Sequence, residues 1–322
     1  MDLGDFGYGQ VWGLNDAGVI VGETSDYRAF YYANGTVTDI GAGNGSYATA
    51  INNNGVITGY ANSQAFVYAN GQITNLGQAG SSFSIATAVN DSGAVVGVSQ
   101  ASNNGQYPFV YANGTLTSLG VLGWAYAINQ AGTVVGRLSS TNTSFVYANG
   151  QLTNLGTMGG SSNVAYDIND SGVVVGGLYS SASRFEQAYS FVDGTVTVLP
   201  TLSGSIYQDS YASRINNAGT IIGEVFTRVV VGNTIYAGQE AWVYSGGTIN
   251  TLSSLVNLPG VDLYFAADIN SAGQIAARGT NNHFYLLTPV PEPATYAAVM
   301  GLFAVALAFI RRGRTGNARS GR

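Results

Sequence analysis

The sequence predicts an all-β fold: a seven-bladed β-propeller of four-stranded blades, followed by one C-terminal transmembrane helix. Three observations carry that expectation. One unit recurs seven times along the chain. Each unit reads as four short alternating runs joined by turn signals. The C-terminus holds a single apolar run without one charge.

The core of the repeat is Ala-x-x-Ile-Asn-x-x-Gly-x-Val-Val-Gly. Its Asn falls at Asn15, Asn52, Asn90, Asn129, Asn169, Asn216 and Asn270, with spacings of 37, 38, 39, 40, 47 and 54 residues. An aliphatic residue precedes each Asn, from Leu14 to Ile269, and a Gly follows three positions later, from Gly18 to Gly273. An Asn before a turn bonds backbone groups two residues on, so a residue repeated in every unit reads as scaffold. The second half of the unit is Ala-Phe-Val-Tyr-Ala-Asn-Gly-x-Leu-Thr-x-Leu-Gly. It is clearest in Ala65 to Gly77, Phe109 to Gly120 and Phe145 to Gly156. Asn-Gly or Asp-Gly between alternating runs is a strong hairpin signal. Four antiparallel strands per unit of this length make a propeller blade.

Ring closure can be read as well. The seventh unit supplies three strands, Ala266 to Ile269, Gln274 to Ala277 and His283 to Leu287. Asp2-Leu3-Gly4 matches the end of a fourth strand, as in Asn75-Leu76-Gly77 and Asn154-Leu155-Gly156. The N-terminal segment is therefore expected to complete the last blade, and residues 1–288 to form the propeller. Met1-Asp-Leu-Gly-Asp-Phe has neither the basic nor the apolar run of a signal peptide. The expectation is that the rest of that strand and a signal peptide lie upstream.

Composition narrows function. Only 9% of the 322 residues are charged, yet 46% are hydrophobic and 11% aromatic, which argues for a packed core over disorder. All 17 acidic residues lie at or before Glu292. Six Arg stand against them there, leaving −11 before the apolar run. Such a surface repels phosphate backbones, so no nucleic acid is expected as a partner. No Cys is present, which removes disulfides, a thiol nucleophile and Cys-ligated metal.

The tail reads Val290, Pro291, Glu292, Pro293, then Ala294 to Ile310, then Arg311, Arg312, Gly313 and Arg314, with a short basic segment over 315–322. A helix over the apolar run would rise about 26 Å, at the short end of what crosses a bilayer. The Arg cluster would stay cytoplasmic, placing everything before it on the far side.

In its order of parts, the segment 289–314 resembles the PEP-CTERM sorting signal of Gram-negative bacteria. That resemblance implies recognition and processing by an exosortase, an integral-membrane cysteine peptidase. It also implies transient anchoring in the inner membrane. The repeats, over residues 2 to 287, resemble the HAF extracellular repeat family. That resemblance implies an exported protein and no settled biochemical role. The extra residues after Arg314 depart from the usual end of the signal.

A site is sought on the variable links. In a meander blade, the links from strand two to three and from one blade to the next share a face. All the length variation falls there: Val98 to Tyr107, Gly177 to Gln187, Glu224 to Glu240 and Ser253 to Tyr264. Loops that vary on a rigid scaffold carry function. Tyr47, Tyr107, Trp124, Tyr179, Tyr207, Tyr211 and Tyr236 sit on that face as a candidate glycan-binding surface, exopolysaccharide being the candidate partner. The plain alternative is blade packing, since Ile85 and Val164 occupy the position of Tyr47, Trp124 and Tyr211.

Catalysis and metal binding have weaker signals. His283 is the single His, and no Ser elbow, P-loop or dinucleotide motif has its strand–helix context. The best polar constellation is Asp167, Arg214 and Asp268, each two residues before a repeat Asn and expected to face the channel. The Asp167-Ile-Asn169-Asp170-Ser-Gly172 turn lacks the acidic spacing of a Ca²⁺ loop. The Asn34-Gly-Thr36 and Asn113-Gly-Thr115 glycosylation patterns are explained by hairpin turns. The expectation is a binding or scaffolding protein without cofactor or metal. The alternative is a propeller enzyme acting on polysaccharide.

Overall fold

The turns set the architecture. In six units the third and fourth strands meet at a dipeptide with both residues at positive φ: Asn34-Gly35, Asn70-Gly71, Asn113-Gly114, Asn149-Gly150, Asp193-Gly194 and Gly246-Gly247. Two left-handed residues in succession make the type I′ turn, whose twist matches that of the flanking strands. The Asn-x-x-Gly turns place Gly at φ 75–81° and close with a hydrogen bond from its N–H to the Asn carbonyl, as from Gly132 to Asn129 at 3.0 Å.

The structure is a computed structural model that describes residues 1–290 apart from 6–8, 78–80, 182–184, 203–207 and 232–233. Residues 81–82, 208, 227–231 and 234–237 are described by backbone alone. The described residues form seven four-stranded antiparallel sheets. The first blade is Gln10–Leu14, Ile20–Glu23, Ala29–Ala33 and Thr36–Asp39. Each later blade repeats that meander, and the innermost strands are Tyr47–Ile51, Ser81–Val89, Gly123–Ile128, Ser162–Ile168, Gln208–Ile215 and Leu263–Ile269. The last blade is closed by Asp2–Gly4, which pairs with Phe284–Leu287. That join is reinforced by the Met1 ammonium on Leu286 O at 2.8 Å and by His283 Nδ1, 3.0 Å from Asp2 Oδ2. Burial pushes the Asp2 carboxyl up, and hydrogen bonds from His283 and the Gly4 N–H outweigh it, so its pKa sits below the usual value.

The core is divided among the blade interfaces. Seven apolar clusters each draw from two neighbouring blades. One joins blades seven and one through Phe284, Leu286, Val11 and Phe30. The motif's final Gly explains how a large aromatic fits the first six blades; the seventh has Ala277 opposite Tyr285. Gly136 lies opposite Phe145, and a Cβ on it would come 1.9 Å from Trp124 O and 2.8 Å from the Phe145 ring. Gly59 with Phe66, Gly97 with Phe109, Gly176 with Tyr189 and Gly223 with Trp242 repeat the arrangement. The aromatic member is fully buried in every one of these pairs.

Several expectations need correction. The long links of repeats three, five and six are largely strand. Val95–Ala101 runs to Gln106–Ala112, Val174–Ser180 to Phe185–Val192, and Ile221–Val231 to Thr234–Ser245. Runs such as Thr-Arg-Val-Val-Val suit the pleat, so pairing continues past the blade as a ribbon. The link from blade six to seven holds one helical turn, Leu252–Leu255, capped by Thr251 and anchored by buried Leu252. The last blade's strands are shifted outward by one to three residues, beginning at Leu263 and ending at Gly279 in the first two.

Residues 288–322 form a unit separate from Met1–Leu287, and Val290 is 84% exposed. Pro291, Glu292, Pro293, the apolar run 294–310, Arg311, Arg312, Arg314 and 315–322 lie outside the described residues. No helix among the described residues is long and apolar enough to cross a membrane.

Candidate functional site

The innermost strands line an axial channel, and the repeat numbering turns each sequence position into a ring around it. At one mouth lie the repeat Asn. Each Asn side chain donates to the backbone carbonyl of the next: Asn15 to Asn52, Asn52 to Asn90, Asn90 to Asn129, Asn129 to Asn169, Asn169 to Asn216, Asn216 to Asn270, and Asn270 back to Asn15, over 2.8–3.2 Å. Their Oδ1 atoms accept from backbone N–H four residues on, as from Thr133 to Asn129 at 2.9 Å. All seven Asn are buried, so these bonds satisfy groups that would otherwise be costly. The next residue adds an outer set, with Asp16 N on Asn53 Oδ1 and Gln130 N on Asp170 Oδ1. A cavity of about 160 Å³ opens there.

One residue before the Asn comes an aliphatic ring, from Leu14 to Ile269, which lies between this mouth and the rest of the channel. Two before it stand Asp167, Arg214 and Asp268, all three on the channel wall as expected. The structure gives each carboxylate a structural task. Asp167 accepts from Ile215 N in the next blade and from Ile168 N, both at 2.9 Å. Asp268 accepts from Leu14 N at 2.8 Å, across the join between blades seven and one. Arg214 Nε is 3.7 Å from Asp268 Oδ1. Channel walls crowd both carboxyls. Burial pushes Asp167 up to about 6 and raises Asp268, and in both cases the Arg214 guanidinium and backbone N–H groups oppose the rise.

Three before the Asn, every innermost strand bulges. Register slips around Trp12, Thr49, Thr87, Tyr126, Tyr166, Ser213 and Ala267 in all seven blades. A bulge re-aims a side chain, and here the larger ones turn to the channel. Thr49 and Thr87 send their hydroxyls to Ala86 O and Ala125 O of the neighbouring blade, at 2.8 and 3.0 Å. Trp12, Thr49, Thr87, Tyr126, Tyr166 and Arg214 enclose a cavity of about 260 Å³.

Five before the Asn lies the rim, on the face of the variable links. Two aromatic arcs form there. Tyr47 stacks on Tyr60 at 5.2 Å, and Tyr60 meets Phe83 at 5.4 Å. Trp124, Tyr126, Tyr166, Tyr211 and Phe226 continue ring to ring at 6.4, 5.7, 5.5 and 6.1 Å across three blades. Trp124 Nε1 donates to Gln106 Oε1 at 2.8 Å. The rim positions, aliphatic Ile85 and Val164 included, are half-buried, and of them Phe265 packs against the core cluster between blades seven and one.

Of the sequence-predicted aromatics, the structure brings Tyr47, Trp124 and Tyr211 to this rim. Tyr107 lines a separate cavity with Ser99 and Ser118, held by Asn103. Tyr179 is 40% exposed and joins neither arc among the described residues. Tyr236 is described by backbone alone, paired with Val229, and Tyr207 lies outside the described residues.

Sequence reasoning missed Trp12, Tyr126, Tyr166 and Glu224. Glu224 is wholly buried and accepts from Ala266 N in blade seven at 3.1 Å. The Tyr211 and Ser213 hydroxyls lie near enough to favour its charge, yet Oε2 makes no hydrogen bond of ordinary geometry. Burial dominates and pushes the carboxyl up to about 7. Burial and the neighbouring Asp209 also raise Glu186. Burial raises the Tyr166 and Tyr211 hydroxyls, with Glu186 adding to the rise at Tyr166 and Glu224 to that at Tyr211. Among the described residues no group of three or more His, Cys, Asp or Glu is placed to hold a metal ion.

No protein-family model matches the sequence, and no curated protein matches it either. Solved structures share its shape. YCF48 from Cyanidioschyzon merolae has a TM-score of 0.57 at 11% identity, covering 90% of this chain and 98% of its own. A structure of YCF48 bound to D1 peptide has a TM-score of 0.52 at 9% identity, over 90% and 97%. A chain of the mitotic checkpoint complex has a TM-score of 0.51 at 10% identity, over 89% and 92%. At these identities the likeness is one of fold: this chain is a seven-bladed, four-stranded β-propeller.

Proposed function

We propose that this chain is an exported, non-catalytic propeller that binds polysaccharide at the cell surface or in the exopolysaccharide layer. The observation that carries the reading is the pair of aromatic arcs on the rim. Half-exposed Tyr and Trp faces stack on sugar rings, and the neighbouring amides and hydroxyls supply directional bonds. Support for a binding role comes from the tasks already given to the channel acids: Asp167 and Asp268 bridge blades through backbone N–H groups. The fold neighbours include a propeller solved with a bound peptide.

Export and sorting rest on the tail. Pro291-Glu-Pro293, the charge-free run and Arg311, Arg312 and Arg314 have the order of a PEP-CTERM signal. In this reading an exosortase-type enzyme processes the tail after transient anchoring in the inner membrane, and the propeller remains outside. Cell fractionation with intact-mass measurement of the surface form tests it. The mass should show loss of the segment after the Pro-Glu-Pro motif, and a full-length cytoplasmic protein would refute it.

One observation favours a second reading, an enzyme acting on glycans. Glu186, half-buried near Tyr211, has a raised pKa, as a general acid requires. Incubation with the same polysaccharides separates the two: retention without product supports binding, and release of oligosaccharide supports catalysis.

A further inference from the structure

The cavity below the rim is a throat that leads down to a charged layer. It measures about 260 Å³, just under the ~300 Å³ at which pockets begin to take drug-sized molecules. Beneath it stand Asp167, Arg214 and Asp268, and beneath those the aliphatic ring. A further space of about 150 Å³ continues past these three groups to Ile51, Val89 and Ile128, so a ligand entering from the rim meets the charged layer first. The walls offer Trp12, Tyr126 and Tyr166, three aromatic groups from three blades, with Thr49 and Thr87 between them. The threonine hydroxyls are spent on backbone carbonyls of the next blade.

Arg214 supplies the directional chemistry. A guanidinium has five N–H donors. Nη1 donates to Ser213 O at 2.8 Å, and Nε lies 3.7 Å from Asp268 Oδ1, leaving donors for a ligand at the charged layer. The Trp12 indole N–H is itself buried away from the cavity, so this side chain offers the throat its ring.

Charge selects against an anion. Arg214 is shared with the two carboxylates beside it, and the whole region before the tail carries an acidic excess. Polyanions are repelled on approach and gain little at the charged layer.

Building on the polysaccharide-binding reading, we infer that the throat takes the terminal residue of a neutral glycan, end-on. Aromatic walls stack on the ring, and Arg214 bonds its hydroxyls from below. The rim arcs then hold the residues that follow.

The test uses the full chain and three probes of matched size: linear neutral hexose oligomers, cyclic oligomers of the same sugar, which have no terminus, and linear uronate oligomers. Binding is followed by calorimetry and tryptophan emission. Linear neutral oligomers should bind and shift the emission, with cyclic and uronate probes at least about tenfold weaker. Trp12→Phe should reduce the emission change to the part contributed by Trp124 on the rim and leave binding within a few-fold. Tyr166→Ala should weaken binding about tenfold, as loss of a stacking wall does. Tyr166→Phe, which keeps the ring, should bind like wild type and guards against a folding defect in the alanine variant. Cyclic or uronate probes that bind as tightly as linear neutral ones would overturn the inference. So would binding insensitive to Tyr166→Ala but lost in Tyr47→Ala, a result that leaves a glycan on the rim and keeps the broader reading. No binding by any sugar would remove both.

Discussion

The two ends of the same seven strands differ in kind. At the Asn end, one residue type recurs in every blade and every copy makes the same bond to its neighbour. At the rim, five residues earlier in each blade, the occupants are Gln10, Tyr47, Ile85, Trp124, Val164, Tyr211 and Phe265, and their contacts differ. Uniformity marks the end that holds the ring, and variety marks the end free to recognise something. About 16 Å of strand separates the two roles, at about 3.3 Å per residue.

Substitutions at the two ends should separate stability from binding. The largest loss is expected at the Asn end. Asn129→Ala leaves Thr133 N without its acceptor, at about 2 kcal/mol, and Asn169 O with the Gly172 N–H alone, at about 1 kcal/mol for the lost second bond, or about 3 kcal/mol in all. Chemical denaturation should report it, with polysaccharide binding by the folded protein unchanged. A binding defect in the folded variant would show that the two ends are coupled.

Glu224 lies behind the rim and should contribute through pH. Its folded pKa of about 7 lies above the ordinary 4.5. Between these values the folded chain holds a proton that the unfolded chain has lost. Stability from this group is therefore complete below about pH 4.5 and disappears as pH rises through 7, worth about 3 kcal/mol by linkage. Asp167 acts in the same sense between 3.8 and about 6. Thermal melts should show the protein weakening from pH 4 toward pH 8, and Glu224→Gln should flatten the upper part of that slope. An unchanged slope would mean that water reaches Glu224.

Trp124→Leu should cost about 1 kcal/mol, the worth of its stacking on Tyr126, and weaken polysaccharide binding several-fold. Tyr179→Ser should change stability by less than about 0.5 kcal/mol and leave binding alone, because the ring is exposed and outside both arcs. Tight dependence on Tyr179 would relocate the site to the ribbon of blade five.

The scaffold was legible because its signals are local. Asn-Gly encodes a type I′ turn, Asn-x-x-Gly a second tight turn, and both recur in register. The closing strand was legible because Asp2-Leu3-Gly4 repeats a pattern seen elsewhere in the chain. The site was legible only in part. Tyr47, Trp124 and Tyr211 were found by counting back from the repeat Asn. Tyr126 and Tyr166 lie two residues closer, on the bulge. Strict alternation would place both these positions on one side, but it does not say that an extra residue turns the larger chains into the channel. The non-aliphatic series Trp12, Thr49, Thr87, Tyr126, Tyr166 and Ser213 was the available signal. Glu224 was hidden because its range read as a loop, whereas pairing with Tyr211 continues the sheet there. The Asp167, Arg214 and Asp268 layer was placed correctly, but its bonds reach backbone groups in the next blade, which no side-chain pattern records.

The Asn circuit also governs how the chain must fold. Six of its links join residues 37 to 54 positions apart and can form as each blade meets the one before it. The seventh joins Asn270 to Asn15, 255 positions apart, and the strand that seals the same seam joins Met1 to Leu286. Contacts that distant carry the largest loop-closure entropy and are the slowest to form. Six interfaces therefore stand ready while one seam waits, and until it shuts both flanking blades show an apolar face. The time this protein spends as an open crescent, and the chance that a second crescent meets it there, are set by that one joint.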